Sequence, residues 1–119
     1  MITNSLVLDV YGSLARYSAE GQRVSASNIS RANEPGYKAE VLESFEEYLT
    51  RQISTEAAEG LSSDFRITES RAAAAPNGNN VALEEEVMRG TAAIGQHEMA
   101  MTVYSKSLDL LRTALGRGR

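Results

Sequence analysis

Apolar residues recur along the C-terminal part of the chain in alternating steps of four and three: Leu83, Val87, Gly90, Ile94, His97, Met101, Tyr104, Leu108, Leu111 and Leu115. Such a period marks a helix with a coiled-coil-like seam. It predicts a helix over 81–115, about 50 Å long at ~1.5 Å per residue. Glu84, Glu85 and Glu86 fall in its first turns, where carboxylates oppose the positive end of the helix dipole. Arg112 falls in the last turn, and Gly116 can close it. A weaker seam runs through Val7, Val10, Leu14, Tyr17, Gly21, Val24 and Asn28 and predicts an N-terminal helix over 3–33. Two seamed helices at opposite ends of one chain suggest an antiparallel or crossed pair.

The same wheel leaves Met88, Met99, Val103 and Leu110 away from the C-terminal seam. Apolar groups on a second side point to a further contact surface. Gly12, Gly21, Gly90 and Gly95 lie inside the helical segments. Each costs about 1 kcal/mol relative to alanine. The helices are expected to be marginal alone and completed by packing against neighbouring chains.

Between the helices the pattern shortens. Leu42, Phe45, Leu49 and Ile53 are helically spaced and predict a turn and short amphipathic helix over 34–53, with Glu43, Glu46 and Glu47 facing water. From 54 to 80 the residues are small and polar, and the stretch ends in Pro76-Asn77-Gly78-Asn79-Asn80. This segment reads as a flexible linker. Within it, Asp64-Phe65-Arg66-Ile67-Thr68 can form a brief strand or extended contact. The expected fold is all-α, a single domain over 1–119 with two long terminal helices, a short middle helix and the linker.

The exit from the first helix carries the densest local signal. Pro35 lacks an amide hydrogen and drives Glu34 out of the α region, so the helix should end near Ala32 or Asn33. Pro35-Gly36 suits the central positions of a type II turn, with Gly36 supplying positive φ.

Composition narrows the classes. The 119 residues include two Phe, five Tyr and no Trp, too few large aromatics for a big core. A net charge of −4 argues against nucleic acid as the main partner. The absence of cysteine excludes disulfides and thiolate metal sites. No apolar run approaches a membrane span. Met1-Ile2-Thr3-Asn4-Ser5 lacks the basic start of a secretory signal, so departure from the cytoplasm is expected to use a route without a cleaved signal. His97 is the single histidine and lies on the seam, where a packing role is expected. Glu43/Glu46/Glu47 fit a solvated face, and Glu84/Glu85/Glu86 fit dipole compensation. Asn77-Gly78-Asn79-Asn80 lacks the Gly-Lys-Ser/Thr of a phosphate loop. Arg112, Arg117 and Arg119 form a small basic tail. No enzyme, cofactor, metal or small-molecule substrate is expected.

Ala26-Ser27-Asn28, Ala32-Asn33 and Pro35-Gly36-Tyr37-Lys38 together closely resemble the signature near the N-terminus of bacterial flagellar axial proteins. Among these the chain is most similar to proximal rod proteins of the FlgB type. It is short, and Gly78, Asn79, Val81, Leu83 and Glu84, then Glu86 and Met88, open the C-terminal helix as in that family. The resemblance covers roughly 1–50 and 77–115. Ala82 stands where an acidic residue is common, and Ala93 and His97 where Asn and then Tyr are common. The related FlgC type, or a helical export chaperone or adaptor, is the alternative.

The resemblance implies a structural protein of the flagellar basal body. Such proteins leave unfolded through the flagellar type III export apparatus and polymerise into the periplasmic rod above the membrane ring. Expected partners are copies of itself, other rod proteins and the membrane-ring adaptor. Asn28, Asn33, Pro35, Gly36 and Tyr37 would shape the signature turn. Val10, Leu14, Tyr17, Val24, Leu83, Val87, Ile94, Met101, Tyr104, Leu108 and Leu111 would carry helix packing.

Overall fold

A computed structural model describes residues 2–54 and 61–117. The part of the expected linker at 55–60 and the tip of the basic tail lie outside the described residues. The elements are α1 (Ile2–Ser30), β1 (Glu40–Leu42), α2 (Phe45–Ser54), β2 (Ile67–Glu69) and α3 (Leu83–Arg117). The molecule is mostly but not purely helical, and measures 68 × 28 × 14 Å. No helix among the described residues is long and apolar enough to cross a membrane.

α1 and α3 pack antiparallel: Asn28 lies beside Glu86, and Gly12 lies beside Tyr104 near the other end. α1 stops at Ser30 rather than 33. Beyond it, Ala32 N–H donates to Ile29 O at 3.2 Å and Glu34 N–H to Arg31 O at 3.1 Å. These tightened turns use up carbonyls that the helix end leaves without partners. The core is small, with Leu14, Ala15 and Ala100 at its centre and Tyr11, Tyr17 and Phe45 against it.

The all-α expectation needs correction in the middle. β1 and β2 pair antiparallel, with Glu40 opposite Glu69, Val41 opposite Thr68 and Leu42 opposite Ile67. Further bonds from Glu43 N–H to Arg66 O at 2.9 Å and from Ser70 N–H to Ala39 O at 2.8 Å extend the ribbon. The Leu42-to-Ile53 periodicity therefore spans a strand and a helix. Ser44 starts the helix through a capping box. Its Oγ accepts from Glu47 N–H at 3.2 Å, and Glu47 Oε1 accepts from Ser44 N–H at 3.4 Å.

Four of the scarce aromatics gather here, under the ribbon. Phe45 and Phe65 flank Tyr17 at 5.3 and 5.5 Å between ring centres, and Tyr48 lies 4.8 Å from Phe65. Tyr48 is fully buried, and its hydroxyl donates to Ser62 O. Glu43 does not face water as expected. Its side chain is 8% exposed and receives both Arg51 guanidinium nitrogens, at 2.7 and 2.9 Å, and Arg66 N–H at 2.7 Å. Arg51 also donates to Asp64 O at 2.8 Å. The described part of the expected linker, 61–80, is thus tied to α2 and β1, not suspended between helices.

Candidate functional site

The chain's two most distinctive stretches, the exit from α1 and the approach to α3, meet at one junction. Asn28 is its centre and is completely buried. Its Oδ1 accepts from Tyr37 Oη at 2.8 Å and from Glu40 N–H at 2.9 Å. Its Nδ2 donates to Glu40 O at 2.9 Å and to Glu86 Oε1 at 3.0 Å. Only a carboxamide offers two donors and two acceptor positions on one planar group. Asn28 therefore joins α1, the outer edge of β1 and the first turn of α3 without leaving a polar atom unmet. Glu86, 2% exposed, completes its pairing with Arg89 Nη1 at 2.9 Å. It was expected to compensate the helix dipole beside Glu84 and Glu85, but it is an internal ligand of the junction.

Pro35-Gly36 forms the expected turn. Tyr37 N–H donates to Glu34 O at 3.3 Å, and Gly36 has φ 76°. These values match a type II turn. The facing loop is a tight hairpin turn. Gly78 N–H donates to Ala75 O at 2.8 Å, and Ala75 N–H donates to Asn79 O at 2.8 Å. Proline at the second turn position and a left-handed Gly78, φ 87°, suit this three-residue connection. The two turns touch. Gly36 N–H donates to Asn77 O at 2.9 Å, and a Cβ added to Gly78 would stand 3.1 Å from Gly36 Cα. Lys38 Nζ reaches Gly78 O at 2.5 Å.

Asn79 and Asn80 lock the contact, and both are buried. Asn79 Nδ2 donates to Arg31 O at 2.9 Å and Glu34 O at 2.8 Å, while its Oδ1 accepts from Val81 N–H at 2.8 Å. Asn80 Oδ1 accepts from Ala39 N–H at 2.7 Å, and its Nδ2 donates to Ser70 O at 3.0 Å and Ala72 O at 3.2 Å. Of the expected turn residues, Asn28 and Tyr37 enter this network through their side chains and Gly36 through its backbone. Asn33 and Pro35 stay exposed.

α3 turns only one half of its predicted seam toward α1, because the helix is rotated toward a neighbouring column of small and polar residues. Gly90, His97, Tyr104 and Leu111 are half-buried, as are Ala93 and Ser107, and Glu86 and Ala100 are buried. Leu83, Val87, Ile94 and Met101, expected in the seam, are 50%, 50%, 49% and 45% exposed, and Leu115 is 60% exposed. Leu108 is half-buried. Small residues explain the rotation. A Cβ on Gly21 would lie 3.4 Å from Ala93 Cβ, and one on Gly90 would lie 3.4 Å from Ser25 Cβ. Close approach of the backbones leaves no room there for branched aliphatics, which are displaced to the flank. Met88, Met99 and Leu110 are also exposed, whereas Val103 is half-buried. On α1, Leu14 and Val24 are buried and Val10 and Tyr17 half-buried.

The displaced row borders two shallow grooves. One, of 390 Å³, runs between Ala26 and Ile29 of α1 and Val87 and Ile94 of α3. The other, of 330 Å³, lies between Gly12, Ala15 and Ala19 on one side and His97 and Met101 on the other. Arg16 and Tyr104 also line the second groove, beside His97. Among the described residues, no three His, Asp or Glu side chains come together as metal ligands. Burial raises the Tyr17 hydroxyl above its ordinary pKa, and the charges of Glu43 and Glu47 raise it further. That hydroxyl donates to Glu43 O at 2.6 Å, a structural bond.

No protein-family model matches the chain, and no curated protein matches it.

Sequence reasoning missed Glu86, Ala93, Ala100 and Asn80 as contact residues. The spacing of Glu86, Ala93, Ala100 and Ser107 is itself a heptad of polar and small residues. A search for large apolar side chains passes over such a column.

Proposed function

We propose that the chain is a structural subunit of the proximal rod of the bacterial flagellar basal body, of the FlgB type. It polymerises through its terminal helices in the periplasm after export by the type III apparatus, without a cleaved signal. The observation that carries this reading is the half-exposed row Leu83, Val87, Ile94, Met101 and Leu115 along a helix of 35 residues. An apolar flank that recurs along a helix of this length calls for a protein partner, and further copies or other rod subunits would bury it. The clustering of Asn28, Gly36, Tyr37 and Asn79, all within the axial-protein resemblance, around one junction supports the same reading. The role is structural, with no reaction, cofactor, nucleic acid or small-molecule substrate.

The antiparallel closure of α1 on α3 within one chain favours a second reading, a cytoplasmic export chaperone or adaptor. Mass spectrometry of detergent-purified hook–basal bodies from the source cell separates the two. The polypeptide should persist in the particles after stringent washing. Intact particles lacking it, with the protein in the cytosol, would overturn the rod assignment. Site-specific crosslinking within the particles would then distinguish the FlgB from the FlgC position.

A further inference from the structure

The chain contains a single Asn-Gly dipeptide, Asn77-Gly78, and it lies at the contact between the two turns. Asn-Gly is the dipeptide most open to spontaneous rearrangement, because no Cβ hinders the glycine nitrogen. That nitrogen attacks the side-chain carboxamide carbon of the asparagine. A C–N bond closes a succinimide ring, the amide proton passes to solvent, and the side-chain nitrogen leaves as ammonia. Water then opens the ring at either carbonyl. One product is aspartate; the other is isoaspartate, in which the backbone runs through an extra methylene.

The folded loop withholds the nucleophile from the attack. The Gly78 N–H is held by Ala75 O at 2.8 Å, so the nucleophile keeps its proton and its direction. Gly36 N–H pins the Asn77 carbonyl at 2.9 Å, which holds the backbone of the turn. Asn79 N–H donates to Asn77 Oδ1 at 3.0 Å and polarises the carboxamide, so protection rests on the held Gly78 N–H and the closed backbone. Asn77 is nevertheless exposed, so water and base reach it once the loop opens. Reaction is thereby confined to the locally open fraction of molecules.

We propose that Asn77-Gly78 is a modification site gated by the junction. Closed, the junction shields it; open, it converts to isoaspartate, and the junction does not close again. The added methylene enters the backbone between Asn77 and Gly78, directly beside the close contact where a Cβ on Gly78 would stand 3.1 Å from Gly36 Cα. It also shifts Asn79 and Asn80 away from Arg31, Glu34 and Ala39, whose backbone groups they hold. The site records how long a chain has spent unfolded, and it stands independently of the rod assignment.

The test follows the full chain by peptide mapping with mass spectrometry, with isoaspartate separated from aspartate chromatographically. In trimethylamine N-oxide, which favours the compact state, conversion at Asn77 should be at least about tenfold slower than in urea. That factor corresponds to about 1.4 kcal/mol of local protection. Asn79→Ala should convert faster than wild type in the osmolyte and at the wild-type rate in urea. Lys38→Met, which removes only the Nζ bond to Gly78 O, provides a milder second opening should Asn79→Ala not fold. Equal wild-type rates in the two solvents, or no acceleration in a folded variant, would overturn the gating. Chains aged in urea and returned to the osmolyte should lose hydrogen-exchange protection at Gly36 N–H. Full protection in isoaspartate-bearing chains would overturn the claim that the junction stays open.

Discussion

The two ends of the α1–α3 hairpin are held by different means. At the junction end, Asn28, Asn79, Asn80 and Glu86 are all buried, and each has partners on more than one segment. At the other end, Val7, Leu8, Leu110 and Leu111 surround a 270 Å³ groove, and Leu110 is 72% exposed. Directional bonds fix a unique geometry and are costly to leave unmade. Loose aliphatic contacts exchange partners without such a penalty. One end thus specifies the fold of a single chain, and the other leaves apolar surface available.

The largest test of this contrast is Asn28→Ala. It strands Tyr37 Oη, Glu40 N–H and the Glu86 carboxylate together, and should lower stability by roughly 3 kcal/mol. Urea unfolding followed by circular dichroism measures it, and a loss no greater than that of exposed Asn33→Ala would break the comparison. Along the helices, Leu14→Ala in the buried centre should cost about 2–3 kcal/mol. Leu111→Ala toward the open end should cost under about 1 kcal/mol. Equal losses would mean the open end is as well packed as the middle. Gly78→Ala should cost about 2 kcal/mol, because it combines a positive φ with a crowded Cβ.

Tyr17→Phe removes one hydrogen bond and should cost about 1 kcal/mol at neutral pH. Its raised pKa adds a pH dependence with a definite sign. The folded chain holds the neutral phenol, so this contribution is complete below the unfolded value of about 10. It is lost as pH rises through the higher folded value, and alkaline unfolding profiles of wild type and Tyr17→Phe should differ there. The smallest effect on the free chain is expected for Ile94→Asp, within about 0.5 kcal/mol. Under the proposed assembly it should nevertheless abolish incorporation into the particle. A marked loss of monomer stability would show that the exposed row serves the monomer.

Much of the framework was legible from spacing alone. The α1 seam and the Pro35-Gly36 turn follow from periodicity and from two residues with restricted backbones. The orientation of α3 was legible only in part: Gly90, His97, Tyr104 and Leu111 of the seam do turn toward α1, but the column beside them, Glu86, Ala93, Ala100 and Ser107, is one that a hydrophobic pattern does not mark. Of the ribbon, the second strand overlaps the extended contact expected at 64–68, and the first was hidden by its length. Strands of three residues are too short for alternation to register. Glu43 looked solvated because its partner Arg51 and the Arg66 amide meet it only after the chain folds back. The asparagines of 77–80 read as breakers, since nothing local says that Asn79 will reach Arg31.

The paired turns at Gly36 and Gly78 have a mechanical consequence. They pinch the chain shut between α1 and α3, so that the excursion between them is closed at its neck as well as held against α1 at Tyr17 and Asn28. Added length at the far end of that excursion is borne by these closures before it reaches the register of α1 on α3. Lengthening that far end changes the closure entropy only slowly, by about 0.6 kcal/mol per doubling. The helical hairpin can therefore keep its register while the far part of the excursion changes size.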